Sequence, residues 1–516
     1  MLQQRSSGLL LHITSLPSPH GLGDLGTEAY RFVDFLSAAG QTYWQILPTT
    51  PVDPGAGFSP YSSPSAFAGN VLVISLDKLV EDGLLTAKEV QSAELPLSNR
   101  ANLWLVSERK MPLLRRAADV FRRTANNTQL VDYELFCQQE AHWLNDYALF
   151  TALQHDTGEY WWVRWTPELV RREPEALAHE LDRLRDPIEE IKVLQFLFFR
   201  QWNALRDYCF AHRIHIIGDI PIYVQHNSPD VWAFQDLFKL DDEGMPTFVA
   251  GAPPDMFSEE GQRWGNPVYD WPKHEESGFQ WWIRRLRHQM KLYSLTRLDH
   301  FLGFAVYWEI PASEPSARIG EWIKAPIDAF MDTMYRQFGH LPVIAEDLGE
   351  RAPDVQPHLR HFQIPGMRVL QFGFGADVAT STHAPHNHVI NTVAYTGTHD
   401  NPTTSGWWAN ATPEVRANVK AYLGIRPTAE TVTVHLNRLA MLSVARLVIL
   451  PLQDALNLDE SHRMNTPGVA SPGVASSGEA TPDSGSGNWS WRYTPDQLTD
   501  HVAEQLLRLT QMAGRI

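Results

Sequence analysis

FQWWIRRLRHQMKLYSLTRLD, residues 279–299, holds both halves of the fold signal. Its first part, Phe279–Tyr293, repeats apolar residues at three- and four-residue spacing, the period of a helix with one buried face. Its second part, Ser294–Asp299, is a short apolar run without strict alternation. That pattern reads as a strand covered on both faces, and it ends on a charge. Working outward, the same pairing recurs. Strand-like runs stand at Gly8–Thr14, Tyr43–Leu47, His215–Ile220, Pro342–Glu346, Gly366–Phe372, Thr392–Tyr395 and Leu447–Leu450. Helical patterns stand at Thr27–Ala39, with Thr27 as N-cap and Gly40 as stop, and at Ile191–Ala211, Gly320–Phe338 and Thr431–Ala445. Eight strands alternating with helices predict an α/β fold, a (β/α)8 TIM barrel. Strand counting by itself leaves an open doubly wound sheet as the alternative.

The chain, 1–516, is expected to be one barrel domain enlarged by insertions. Residues 52–213, between the second and third strands, are too many for a loop and dense in helical patterns. Residues 221–278, after the third strand, form another insertion, rich in Pro, Gly and aromatics. Thr466–Gly487 is low in complexity: 13 of its 22 residues are Pro, Gly or Ser, and PGVAS occurs there twice in tandem. Such a segment has too little apolar surface to build a core and reads as a flexible loop.

Composition narrows the function. Asp and Glu number 60 against 43 Lys and Arg, a formal charge of −17, which argues against a nucleic-acid partner held through its phosphates. Two cysteines, Cys137 and Cys209, build neither a disulfide framework nor a four-ligand zinc site. A reducing, cytoplasmic setting is the expectation. Neither a membrane span nor a signal peptide is read in the sequence. Tryptophan is abundant, at 18, beside 15 Tyr and 23 Phe; flat rings suit sugars, bases and packed cores alike.

In a barrel of this kind, chemistry sits where strands end at the C-terminal face. Those ends carry Asp219 (HIIGDIP), Asp299 (TRLDHF), Glu346 (VIAEDLG) and His399–Asp400 (GTHDN). A carboxylate that follows an apolar strand needs a partner or a task, because an unpaired buried charge is costly. Cleavage of an acetal uses such a set: one acid protonates the leaving oxygen and a second carboxylate attacks carbon or activates water. Metal catalysis is not expected, since the first strand carries no HxH pair and no HExxH pattern occurs, and a GxSxG elbow is missing too. GLGDLG, 21–26, is a weak phosphate-loop signal. Plainer readings stand beside these: Asp219 as a turn cap before Pro221, His300 and His399 as core histidines, and Arg297 with Asp299 as a buried ion pair.

The runs SPYSSPSAFAGN (59–70), GDIPIYV (218–224), AGAPPDMFSEEGQRWGNPVYDW (250–271), RLDHFLGF (297–304), IAEDLG (344–349), PGMRVLQF (365–372), GTHDN (397–401) and RMNTPG (463–468) together resemble the amylomaltases. These are the 4-α-glucanotransferases of glycoside hydrolase family 77, in the α-amylase clan. The resemblance implies a retaining transfer of α-1,4-glucan segments, with no cofactor and no metal. Asp299 would be the nucleophile, Glu346 the general acid/base, and Asp400 the acid that grips the 2- and 3-hydroxyls at the cleavage site. Tyr61, Asp219, Arg297 and His399 would line that subsite. Asp255, Phe257, Gln262 and Trp264 would face the acceptor, and Asn465 would lie on a loop arching over the chain. Implied partners are maltooligosaccharides, starch or glycogen-derived glucans and glucose as acceptor, handled by a monomer or weak homo-oligomer.

These roles agree with elementary chemistry. Retention needs carboxyl groups about 5–5.5 Å apart, within reach of neighbouring strands. Arg297, two residues from Asp299, would set a positive charge on the same strand face, while Glu346 needs burial and negative neighbours to keep its proton. Three features depart from the family pattern: Met256 in place of an aromatic, Ala56 in place of a tyrosine before SPY, and the added residues 472–486. The insert is either a tolerated loop extension or an element that alters access for long glucans. Two other classes remain: a glucan hydrolase using the same acids, and a non-catalytic glucan-binding protein.

Overall fold

A computed structural model describes residues 4–254, 259–349, 351–469 and 487–516. Its strands are β1 (Ser6–Leu10), β2 (Tyr43–Gln45), β3 (His215–Ile220), β4 (Phe248–Ala252), β5 (Gln262–Pro267) and β6 (Leu295–Leu298). Next come β7 (Val306–Pro311), β8 (Glu321–Lys324), β9 (Val343–Ala345), β10 (Gly366–Val369), β11 (Thr392–Tyr395) and β12 (Leu447–Pro451). Eight of them close a parallel barrel in chain order, β1-β2-β3-β6-β9-β10-β11-β12. These are the eight runs read from the sequence; β3 and β11 match them residue for residue and the other six differ at their ends. The doubly wound alternative is excluded by the last pairing, in which β12 returns beside β1 with Ser6 opposite Leu447. That seam is fastened below the ring by Arg515, which donates to the carbonyls of Met441, Ser443, Arg446 and Ser6.

The strands are buried on both faces, as their unalternating composition requires. Ahead of β6, the helix Gln280–Leu292 buries Trp281, Trp282 and Leu286. Trp282 meets Phe304 and Phe330 at 5.0 and 5.6 Å, so these tryptophans pack the shell around the barrel. Gly218 in β3 has no room for a side chain: a Cβ there would lie 2.1 Å from the Tyr293 ring.

Between β2 and β3 the chain runs through helices, the longest being Leu103–Thr124 and Arg185–Ala211. The latter begins six residues before the apolar period predicts: Arg185, Asp186 and Pro187 are exposed, and Ile188 already joins the buried stripe. A second sheet, β5-β4-β7-β8, is antiparallel and joins the segment after β3 to the one after β6. It corrects the helix expected over Gly320–Phe338. Glu321–Lys324 is β8, paired with β7 through Trp322 opposite Trp308, and the helix is Ile327–Phe338. Pro326 separates the two, since the residue before a proline is disfavoured in helical geometry. The first helix is capped by Gly26 rather than Thr27; the Asp24 side chain takes the Gly26 N–H, which gives GLGDLG a structural task.

Residues 470–486, most of the low-complexity stretch, lie outside the described residues. At its base, Asn488 accepts from Thr466 N–H and donates to the carbonyls of Thr466 and Val469. Among the described residues no helix is long and apolar enough to cross a membrane. Cys137 and Cys209 are free thiols.

Candidate active site

The barrel register places Asp219 of β3 directly opposite Arg297 of β6. Neighbouring residues in a parallel pair share a face, and here both point inward and are buried. Arg297 donates to Asp219 at 2.8 and 2.9 Å and lies 2.8 Å from Asp299, one residue past the end of β6. Tyr61 donates its hydroxyl to Asp219 at 2.8 Å. Both Asp219 oxygens are thus engaged within the site, and neither caps a turn. Burial pushes the Asp219 carboxyl up to about 6 against the pull of Arg297.

Glu346 follows β9, the next strand in the ring. The Glu346 N–H donates to the Leu298 carbonyl at 3.0 Å, so the backbone at Glu346 is tied to the end of β6. One Glu346 oxygen accepts from the His300 N–H at 2.9 Å, the other from the Leu348 N–H at 3.2 Å. His300 makes its contact from a left-handed backbone, φ +47°, a strained conformation for a residue with a Cβ. Burial raises Glu346 to about 8; Asp299 and Asp347 reinforce the shift and Arg297 opposes it. Asp347 is held apart by Met367 N–H, Arg368 and Gln356, and so serves the scaffold.

Asp400 sits in the loop after β11. His399 Nε2 is 3.3 Å from one of its oxygens and Asn465 Nδ2 is 2.6 Å from the other. Burial would raise Asp400, but His399, Asn465 and Arg297 prevail and hold it at about 2. The Tyr61 ring stacks on His399, with centroids 5.0 Å apart and planes within 8°. Trp489 closes the group at 5.7 Å from Tyr61 and 5.9 Å from His399. On β5, Trp264 meets His300 edge-on at 4.9 Å and donates to Gln262 at 3.2 Å. Trp264 is partly exposed, which leaves ring surface free for a ligand.

Asp299, Glu346, Asp400, Tyr61, Asp219, Arg297, His399, Asn465, Gln262 and Trp264 thus gather at the C-terminal mouth of the barrel. Asp255 and Phe257, with Met256, lie outside the described residues. Sequence reasoning missed four participants. His300 acts through its main chain, which leaves no compositional trace. Trp489 and Arg463 reach the site from distant loops, although Arg463 opens the RMNTPG motif. His12, two residues past β1, lines a small cavity with His399, Gln453 and Met464. Strand-end logic applied to histidine as well as to acids finds it. Among the described residues no group of His, Cys, Asp and Glu is arranged to hold a metal ion.

Comparison with known proteins adds to this geometry. The family profile of 4-alpha-glucanotransferase matches residues 11–496. A 4-alpha-glucanotransferase of Aquifex aeolicus (strain VF5) is 44% identical over 95% of this chain and 96% of its own length. One of Thermus thermophilus is 44% identical over 99% of each. Among solved structures, amylomaltase from Streptococcus agalactiae in complex with acarbose matches with a TM-score of 0.92. It is 37% identical and the match covers 99% of this chain and 100% of that one.

Proposed function

The chain belongs to the 4-alpha-glucanotransferase family, and on that premise we propose that it transfers glucan segments by a retaining double displacement. The substrates are maltooligosaccharides and starch- or glycogen-derived α-1,4-glucans, with glucose among the acceptors. The observation that carries the mechanism is the pair of carboxyl groups on neighbouring strand ends in different surroundings. Asp299 lies against the Arg297 cation, while Glu346, half-buried with Asp299 and Asp347 nearby, is raised to about 8 despite the pull of Arg297.

In the first half-reaction Glu346 gives its proton to the glycosidic oxygen as Asp299 attacks the anomeric carbon. The C–O bond to the leaving glucan breaks and a β-glucosyl ester forms on Asp299. In the second, Glu346 takes the proton from an acceptor 4-hydroxyl, which attacks the same carbon and releases Asp299. Two inversions give net retention. Asp400, ionised between His399 and Asn465, accepts the 2- and 3-hydroxyls of the sugar as its ring flattens. Arg297 holds Asp299 in line, and Asp219, itself held by the Tyr61 hydroxyl, holds Arg297. Trp264, Gln262, Asp255 and Phe257 serve the acceptor, and a bound acceptor hydroxyl then outcompetes water. We assign all of this to one catalytic unit, with 52–213 and 221–278 as insertions in the barrel.

A product ladder from maltotriose tests the activity. Free glucose accompanied by chains longer than maltotriose is the expected result; reducing ends without longer chains would mean hydrolysis. Trapping with a 5-fluoro-α-glucosyl donor tests the intermediate. The expected adduct is one fluoroglucosyl group on the peptide carrying Asp299, and an unlabelled or differently labelled peptide would sink the assignment.

A further inference from the structure

Arg463 stands two residues before Asn465, and each of its three nitrogens is engaged. NH2 donates to the Asp400 carbonyl at 2.6 Å and Nε to the Asn465 carbonyl at 2.6 Å. NH1 meets Glu460 Oε1 at 3.2 Å. A guanidinium is planar and rigid, so three bonds from one group fix the two loops relative to each other. Glu460 extends the grip. Its second oxygen accepts from the Thr403 N–H at 3.1 Å, three residues beyond Asp400. It is wedged against Gly406, where an added Cβ would lie 2.1 Å from that oxygen. Arg463 and Glu460 therefore clamp the Asp400 loop at two points, and these two residues use only its backbone. The Asp400 carboxylate stays free for Asn465, His399 and the ligand.

We propose that Arg463 is a positioning residue for glucan transfer: it locks the Asp400 backbone and the Asn465 loop into one unit, so both side chains meet the sugar in a single geometry. This rests on the role given to Asp400 above. A contact that strengthens as the sugar distorts contributes to turnover more than to substrate binding. Loss of the clamp leaves Asp400 and Asn465 present but loosely aimed.

The test compares Arg463→Gln and Arg463→Lys with wild type in maltotriose disproportionation, each alone and combined with Asp400→Asn. Expected for both single variants is a fall in kcat of about 10- to 100-fold with KM within about threefold. Their thermal unfolding midpoints stay close to wild type; should the glutamine variant fold poorly, the lysine variant keeps the cation and carries the comparison. In the Asp400→Asn background the further loss is expected to be less than about threefold, because the carboxylate whose placement the clamp secures is gone. Unchanged kcat in both single variants overturns the proposal, as does a full multiplicative loss in the double variants. Asp400→Asn alone reports on the underlying reading: wild-type activity in that variant would overturn the role of Asp400 itself, whatever Arg463 does.

Discussion

Arg297 touches two carboxylates with different tasks. Toward Asp219 it makes a buried fork that fixes its own position; toward Asp299 it presents charge to a partly exposed, reactive group. The acid on the next strand lies farther from that cation and is raised by burial, and predictions follow at this scale. Glu346→Gln lowers kcat for maltotriose about 100- to 10,000-fold. An α-maltosyl fluoride, whose leaving group needs no proton, restores ester formation in Glu346→Gln but not in Asp299→Asn. Burst kinetics with the fluoride distinguish the two. The pH dependence follows from the sign of the Glu346 shift. Its raised group is the active acid while protonated, so kcat/KM for the donor falls as pH rises through about 8. A carboxyl in its ordinary range would instead have lost activity by neutral pH. The acids were legible because each follows an apolar strand, where a charge stands out. Arg463 and the His300 amide were not, because their roles depend on loops meeting across the barrel mouth and on a backbone angle.

At the scale of elements, β3 shows how a glycine sets the ring. Gly218 lets the Tyr293 ring lie flat on the strand, and the Tyr293 hydroxyl bonds Thr49 at 2.7 Å beyond β2. Gly218→Ala is expected to destabilise the fold by about 1–3 kcal/mol through overpacking, read as a lower urea midpoint with an unchanged slope. Maltotriose turnover in the folded fraction falls as well, since Asp219 is the next residue. The eight barrel strands were readable because burial on both faces leaves a dense apolar run. The second sheet was not. β5 carries Gly265, Asn266 and Pro267, with little alternation, and β8 borrows the helical spacing of the residues after it. Pro326 was the sign that those two segments are distinct. Antiparallel pairing with β7 across the short connection 312–320 supplied what local periodicity lacks.

The whole molecule brings distant segments of the chain to one mouth, and length can vary where the contact network is already closed. Asn488 joins Thr466 and Val469, so a connection leaving at Val469 and returning at Gly487 adds little strain to the RMNTPG loop. Deleting 472–486 is therefore expected to leave the maltotriose ladder and the product-length profile from amylose unchanged. A shift in that profile would instead assign the insert a part in access for long glucans. The seam between β1 and β12 has a different consequence, one that concerns synthesis. On the ribosome, Asp299, Glu346 and Asp400 all emerge before Leu447, the first residue of the strand that completes the ring. A nascent chain then carries its acids with the barrel open and β1 and β11 bare along one edge each, a state that calls for chaperone cover. The enzyme is assembled only when its last strand finds its first.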